Sequence, residues 1–192
     1  MKRLHVYLNN VKVGLLSDAE PLTFTYDPDW LATGPGYPLS RQLPLKTEPM
    51  SGKAVRAFFS GLLPEAEPRE RIASILGVSS GNDFAILERI GGDCAGAVSL
   101  RAEDLPSSGA RTGILRWLDE TSLAAIVERL PQRPLMAGEE GLRLSLAGAQ
   151  VKLPVVLAED GGNTAARIAL PLEGTPSTHI LKPEPERFPG LV

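Results

Sequence analysis

From Leu4 to Tyr26 apolar and polar residues alternate, and from Gly52 the apolar spacing lengthens to every third or fourth residue. This change of period restricts the fold more than any other feature. Side chains share a face every second residue on a strand and roughly every 3.6 residues on a helix. Leu4, Val6 and Leu8 form one face of a first strand, and Val11, Val13 and Leu15 resume the alternation after Asn9-Asn10. That pair suits a tight turn, so the segment predicts a β-hairpin. Leu22, Phe24 and Tyr26 predict a third strand, followed by a Pro/Gly-rich loop from Asp27 to Pro38.

Val55, Phe58, Phe59 and Leu62 then fall on one helical stripe, which Pro64 stops. Pro68 suits the first turn of a second helix, where a missing N–H costs nothing. Ile72, Ile75 and Leu76 are its expected buried side and Gly77 its cap. Asn82 or Ser80 caps a third helix carrying Phe84, Leu87 and Ile90. A small-residue turn, 91–96, leads to a short strand, 97–101. Residues 102–113 are polar and rich in Pro, Ser and Gly, and divide a first unit, 1–101, from a second, 114–192. In the second unit Leu123, Ile126, Val127 and Leu130 predict a helix capped by Thr121 or Ser122. Leu142, Leu144 and Leu146, then Val151, Leu153, Val155 and Leu157, predict two strands. A turn at 159–163 precedes further strands at Ile168–Leu170 and Thr178–Lys182. The fold class is α+β.

Composition narrows function mainly by exclusion. Hydrophobic residues at 43% and charged residues at 22% fit a globular chain. A net charge of −3 supplies no broad electrostatic drive toward nucleic acid. The single cysteine, Cys94, precludes an internal disulfide, and it makes no zinc spacing with His5 and His179. No run reaches the length of a membrane span, so the cytoplasm is the expected location and no membrane partner is expected. No GK[ST] phosphate loop, GxGxxG or GxSxG occurs. A Cys94/His179 nucleophile pair is outweighed by a packing role for Cys94 among small residues.

The informative stretch is Arg143-Leu144-Ser145-Leu146-Ala147-Gly148-Ala149-Gln150-Val151-Lys152. Alternation places the leucines on one face and Arg143 and Ser145 on the other. Ala147-Gly148-Ala149 carries so little bulk that its N–H groups can approach an anion closely, with Lys152 adding charge. A plain hairpin with a compact turn is the other reading, and pattern alone favours it.

Four blocks in order alter that balance. They are Phe58–Glu65 (FFSGLLPE), Ile90–Val98 (IGGDCAGAV), Ser145–Lys152 (SLAGAQVK) and Thr175–Lys182 (TPSTHILK). Together they resemble HipA-type serine/threonine kinases of toxin–antitoxin systems. The resemblance implies a β-rich N-terminal subdomain with packed helices. After it come the first antiparallel strands of a HipA-like small lobe, related to protein kinases and phosphatidylinositol kinases. It implies that Ala147, Gly148, Ala149, Gln150, Val151 and Lys152 cover the ATP phosphates, that Lys182 contacts them, and that Ser145 is autophosphorylated. Val151 stands where some relatives carry an acidic residue, which leaves the backbone N–H but puts any side-chain role in doubt.

The implied cofactors are ATP and Mg²⁺. The implied partners are a protein substrate, glutamyl-tRNA synthetase being a family target, and a HipB-like helix-turn-helix antitoxin that makes most of the DNA contact. Asp93 is expected only to hold its turn. The catalytic-loop and metal-binding aspartates of the family have no counterpart in this sequence. The C-terminal helical lobe is therefore expected to be absent, no catalytic residue is assigned, and a truncated, inactive kinase portion is the leading expectation. A non-catalytic module that binds a separate kinase core is the alternative, and a nucleotide-binding pseudokinase is a weaker third.

Overall fold

The computed structural model describes residues 1–102, 113–158 and 167–184. Strands β1 (Arg3–Leu8) and β2 (Val11–Ser17) form the expected hairpin, with Asn9 and Asn10 both at positive φ, 48° and 66°. β3 (Thr23–Tyr26) adds to β2, and Phe24 and Tyr26 are buried as their spacing implied. The alternation in β2 does not persist. The register shifts opposite Val6/Tyr7, so Val13 and Leu16 are buried rather than Val13 and Leu15. An extra residue in a ladder reverses the faces beyond it.

The expected loop 27–38 contains a helix, α1 (Pro28–Thr33). Asp27 accepts a hydrogen bond from the Asp29 N–H at 3.0 Å, and Pro28 opens the helix. An Asp-Pro pair is a start signal, which the surrounding glycines and prolines masked. β4 (Met50–Ser51) then pairs with β3, a strand too short to show any period.

Helices α2 (Lys53–Ser60), α3 (Ala66–Leu76) and α4 (Asp83–Ile90) follow. α2 ends on Gly61, three residues before Pro64. In α3, Ile72 and Ala73 are buried while Ile75 is 38% exposed, so Ile75 lies off the expected buried side. Gly77 caps α3 at φ 67°, and Asn82 caps α4 by accepting from the Ala85 N–H at 2.9 Å. The buried Asp83 carboxylate ties three helices together through Arg69 of α3 and, at 3.4 Å, Arg56 of α2.

β5 (Asp93–Cys94) and β6 (Val98–Ala102) complete the first unit. In the second unit, β7 (Leu115–Leu118), unexpected from sequence, precedes α5 (Glu120–Arg129). The α5 cap is Asp119, which accepts from the Ser122 N–H at 2.7 Å, rather than Thr121 or Ser122. The remaining strands are β8 (Leu144–Ser145), β9 (Leu153–Ala158), β10 (Arg167–Pro171) and β11 (His179–Leu181). The expected linker, 102–113, and the turn at 159–163 fall almost wholly outside the described residues.

The strands form two sheets, a seven-stranded one in the order β4-β3-β2-β1-β6-β5-β8 and a four-stranded one in the order β11-β9-β10-β7. The first sheet buries Leu4, Val6, Leu16, Phe24 and Leu100 against Val55 and Phe59 of α2, Ile72 of α3 and Leu87 of α4. The second sheet buries Leu153, Val155 and Leu170 against Ile126 and Leu130 of α5. Neighbouring residues divide between the two cores: Leu135 belongs to the first and Met136 to the second. Among the described residues no helix is long and apolar enough to cross a membrane.

Candidate functional site

The stretch 143–152 is not a hairpin. β8 pairs in parallel with β5, Asp93 opposite Leu144 and Cys94 opposite Ser145, and so belongs to the seven-stranded sheet. β9 belongs to the four-stranded sheet and pairs with β10 and β11. The small residues between them therefore span the junction of the two sheets. Alternation located the strands but carried no information about which sheet each would join.

The face assigned to Arg143 and Ser145 meets protein, not solvent. The Arg143 guanidinium donates to the carbonyls of Glu88 (2.9 Å), Arg89 (3.3 Å) and Leu100 (3.0 Å), joining the end of α4 to β6. Burial pushes its pKa below the usual arginine range. Ser145 is 0% exposed and donates its Oγ–H to the Leu62 carbonyl at 2.7 Å.

The loop itself rests on the segment after α2. Gly148 bridges to Pro64, and its carbonyl accepts from the Glu65 N–H at 3.3 Å. Gly148 has φ 104°, and a Cβ added there would lie 2.9 Å from Lys152 Nζ. The positive φ favours glycine here, while the lysine terminus could swing aside from a larger residue. Lys152 folds back across the turn and donates to the Ala147 carbonyl.

Lys182 arrives from the other side. The antiparallel register of β11 on β9 matches Leu181 to Leu153, and one step further brings Lys182 opposite Lys152. The Lys152 pKa is lowered first by burial and then by the like charge of Lys182, with Glu65 opposing. Two cations that repel one another at a small-residue turn form a place where an anion is favoured.

By pairing register, Lys152, Lys182, Pro154, Val156, Ala169, Trp117 and Ile180 share the sheet face opposite α5. Ile180 is 50% and Trp117 41% exposed, so this face carries apolar groups beside the lysines. Cys94 packs into the first core, in keeping with a packing role. His179 shares a 2.9 Å hydrogen bond with Thr178 Oγ1 and lines, with Cys94 and Asp93, a cleft of about 360 Å³ between the units. Asp93 does more than hold its turn: its Oδ2 accepts from both the N–H and the Oγ–H of Ser177, at 3.1 and 2.8 Å. No local pattern announces a contact across 84 residues. Among the described residues no cluster of three or more metal-ligating side chains forms.

The four sequence blocks thus meet in space: Leu62–Glu65 supports the loop, Asp93–Cys94 pairs with its entry strand, and Lys182 faces its exit. The HipA N-terminal domain family matches residues 4–101. The chain belongs to the HipA family. It is 47% identical over 175 residues to a putative kinase, Y4mE, of Sinorhizobium fredii, covering 87% of this chain and 39% of that protein. It is 34% identical over 185 residues to the serine/threonine-protein kinase toxin HipA of Shewanella oneidensis, covering 93% and 39%. The fold also matches the solved Shewanella oneidensis complex of HipA, HipB and operator DNA. That match has a TM-score of 0.67 and 30% identity over 92% of this chain and 39% of the solved one. The chain spans about two fifths of the length of these HipA relatives.

Proposed function

We propose that this chain forms the phosphate-binding wall of an ATP-dependent HipA-type kinase that phosphorylates a protein serine or threonine. The observation that carries the reading is the facing pair Lys152 and Lys182 at the turn Ala147-Gly148-Ala149. In the bound state Lys152 leaves the Ala147 carbonyl for a phosphate oxygen. Lys182 takes a second oxygen, and the N–H groups of Ala147 to Val151 close over the phosphates. ATP supplies the transferred γ-phosphoryl group. Mg²⁺ and the carboxylates that hold it and orient the hydroxyl are proposed to belong to a C-terminal lobe outside this sequence.

The resemblance makes glutamyl-tRNA synthetase the first substrate to test. A HipB-like antitoxin is the proposed partner, supported by the HipB present in the Shewanella complex. The net charge of −3 supports a partner that makes most of any DNA contact, and the proposed location is the cytoplasm. Ser145 is the proposed autophosphorylation site. Its hydroxyl is buried against Leu62, so modification requires the loop to leave its seat.

The test is a nucleotide titration with and without Mg²⁺ on the wild type and Lys182→Ala. Wild type is expected to bind ATP saturably, and the variant to bind it roughly tenfold to a hundredfold more weakly, as for loss of a charge-assisted hydrogen bond. Equal binding by the two contradicts the reading. The chain alone is expected to transfer no labelled phosphate.

A further inference from the structure

Asp93 lies in a two-residue strand whose backbone and side chain serve different parts of the proposed phosphate site. Its N–H donates to the Arg143 carbonyl at 2.8 Å, and β5 as a whole pairs with β8, which leads directly into the loop. Its carboxylate accepts both hydrogen bonds that Ser177 offers, 3.1 Å from N–H and 2.8 Å from Oγ–H. Ser177 lies two residues ahead of β11, the strand that ends just before Lys182. The neighbouring Thr178 is fixed to β9, its N–H donating to the Val155 carbonyl at 2.9 Å and its Oγ1 accepting from the Leu157 N–H at 3.0 Å.

β11 lies at the edge of the four-stranded sheet, held to β9 by its ladder and by Thr178. It is three residues long, pairs among the described residues with β9 alone, and its His179 and Ile180 are exposed. A strand so short slides or frays unless its ends are fixed. To the Thr178 contacts the Asp93 carboxylate adds a hold on the leading end from the seven-stranded sheet. A charged acceptor that takes two donors from one residue restrains that residue's position and orientation together.

We propose that Asp93 is a positioning residue that sets Lys182 against Lys152 by clamping Ser177, so that one short strand aligns the loop and the opposing lysine. This rests on the phosphate-site reading given above. Asp93 touches no phosphate in this arrangement and acts only through the Lys182 strand.

Two readouts on the full 192-residue chain separate this clamp from the phosphate site itself. The first needs no nucleotide. NMR titration of the Lys152 side chain reports the nearness of Lys182, because the Lys182 charge is one of the two causes that lower its pKa. Asp93→Ala is expected to raise the Lys152 titration point in the same direction as Lys182→Ala. Adding Asp93→Ala to Lys182→Ala is expected to raise it no further. Asp93→Asn, which keeps an acceptor oxygen, is expected to restore most of the wild-type value. Ser177→Ala, which keeps the backbone N–H, is expected to fall between. An unchanged Lys152 titration in Asp93→Ala and Ser177→Ala, or a shift that adds fully to that of Lys182→Ala, overturns the clamp.

The second readout is ATP affinity. Asp93→Ala is expected to weaken it about tenfold in the wild type, the loss of about 1.4 kcal/mol, and less than twofold in Lys182→Ala. Equal losses in both backgrounds overturn the clamp. A shifted Lys152 titration with no ATP binding by the wild type overturns the phosphate reading while leaving the geometric coupling intact.

Discussion

Each of the two sheets packs one face on helices, and they differ in what the other face carries: half-buried His5, Leu15, Thr25 and Arg101 on the first, more exposed Trp117 and Ile180 on the second. The inner face of the seven-stranded sheet is closed by α2, α3 and α4, and Phe24 of β3 and Phe59 of α2 are the largest fully buried side chains there. The four-stranded sheet is closed on one face by α5, while the opposite face keeps Trp117 and Ile180 partly exposed beside Lys152 and Lys182. A closed face serves stability, and an exposed apolar face edged by cations is a place for a ligand or another part of a protein to bind. The proposed site lies at the margin of the open face, where the loop crosses from one sheet to the other.

The largest test of this contrast is Phe59→Ala, which is expected to cost about 3–5 kcal/mol in chemical denaturation because it empties a filled core. A cost below about 1 kcal/mol would mean that the first core is not the stabilising one. Next is Arg143→Ala, which removes the donors to three carbonyls at the end of α4 and on β6 and is expected to cost about 2–3 kcal/mol. Arg143→Lys is expected to rescue little, since one ammonium cannot span the three acceptors.

The pH dependence of phosphate binding sharpens the open-face side. Lys152 has its pKa lowered by burial and by Lys182, and only its protonated form attracts an anion. Affinity for ATP should therefore fall as pH rises through that lowered pKa, before the ordinary lysine value of 10.5 is reached. Lys182→Ala removes one cause of the lowering. Its weaker binding should accordingly decline at higher pH than that of the wild type. A decline at the same pH in both would separate the two lysines. The smallest effect is expected from Ile180→Ser, within about 0.5 kcal/mol of wild-type stability but with less self-association in light scattering.

Locally encoded features were legible in the sequence. Asn9-Asn10 between alternating runs marked the hairpin, and Val55, Phe58 and Phe59 marked the buried side of α2. The four family blocks marked the loop and Lys182. What was not legible depends on contacts distant along the chain. β8 reads as half of a hairpin with β9 because both alternate, yet it pairs with β5 through a parallel ladder that leaves no sequence period. The bulge that moves burial from Leu15 to Leu16 is set by the partner strand. Ser145 looks like an exposed strand serine until the Leu62 carbonyl is placed against it. Asp93 looks like a turn residue because Ser177, which it holds, lies 84 residues away in the segment leading into β11.

The most direct test of the phosphate site is chemical-shift mapping of the ¹⁵N-labelled chain during titration with ATP, adenosine and inorganic triphosphate. The site described here requires ATP and triphosphate to perturb the same amides, centred on Ala147–Lys152 and Lys182, while adenosine leaves them unchanged. Perturbations that avoid the loop, or that adenosine reproduces in full, would contradict it.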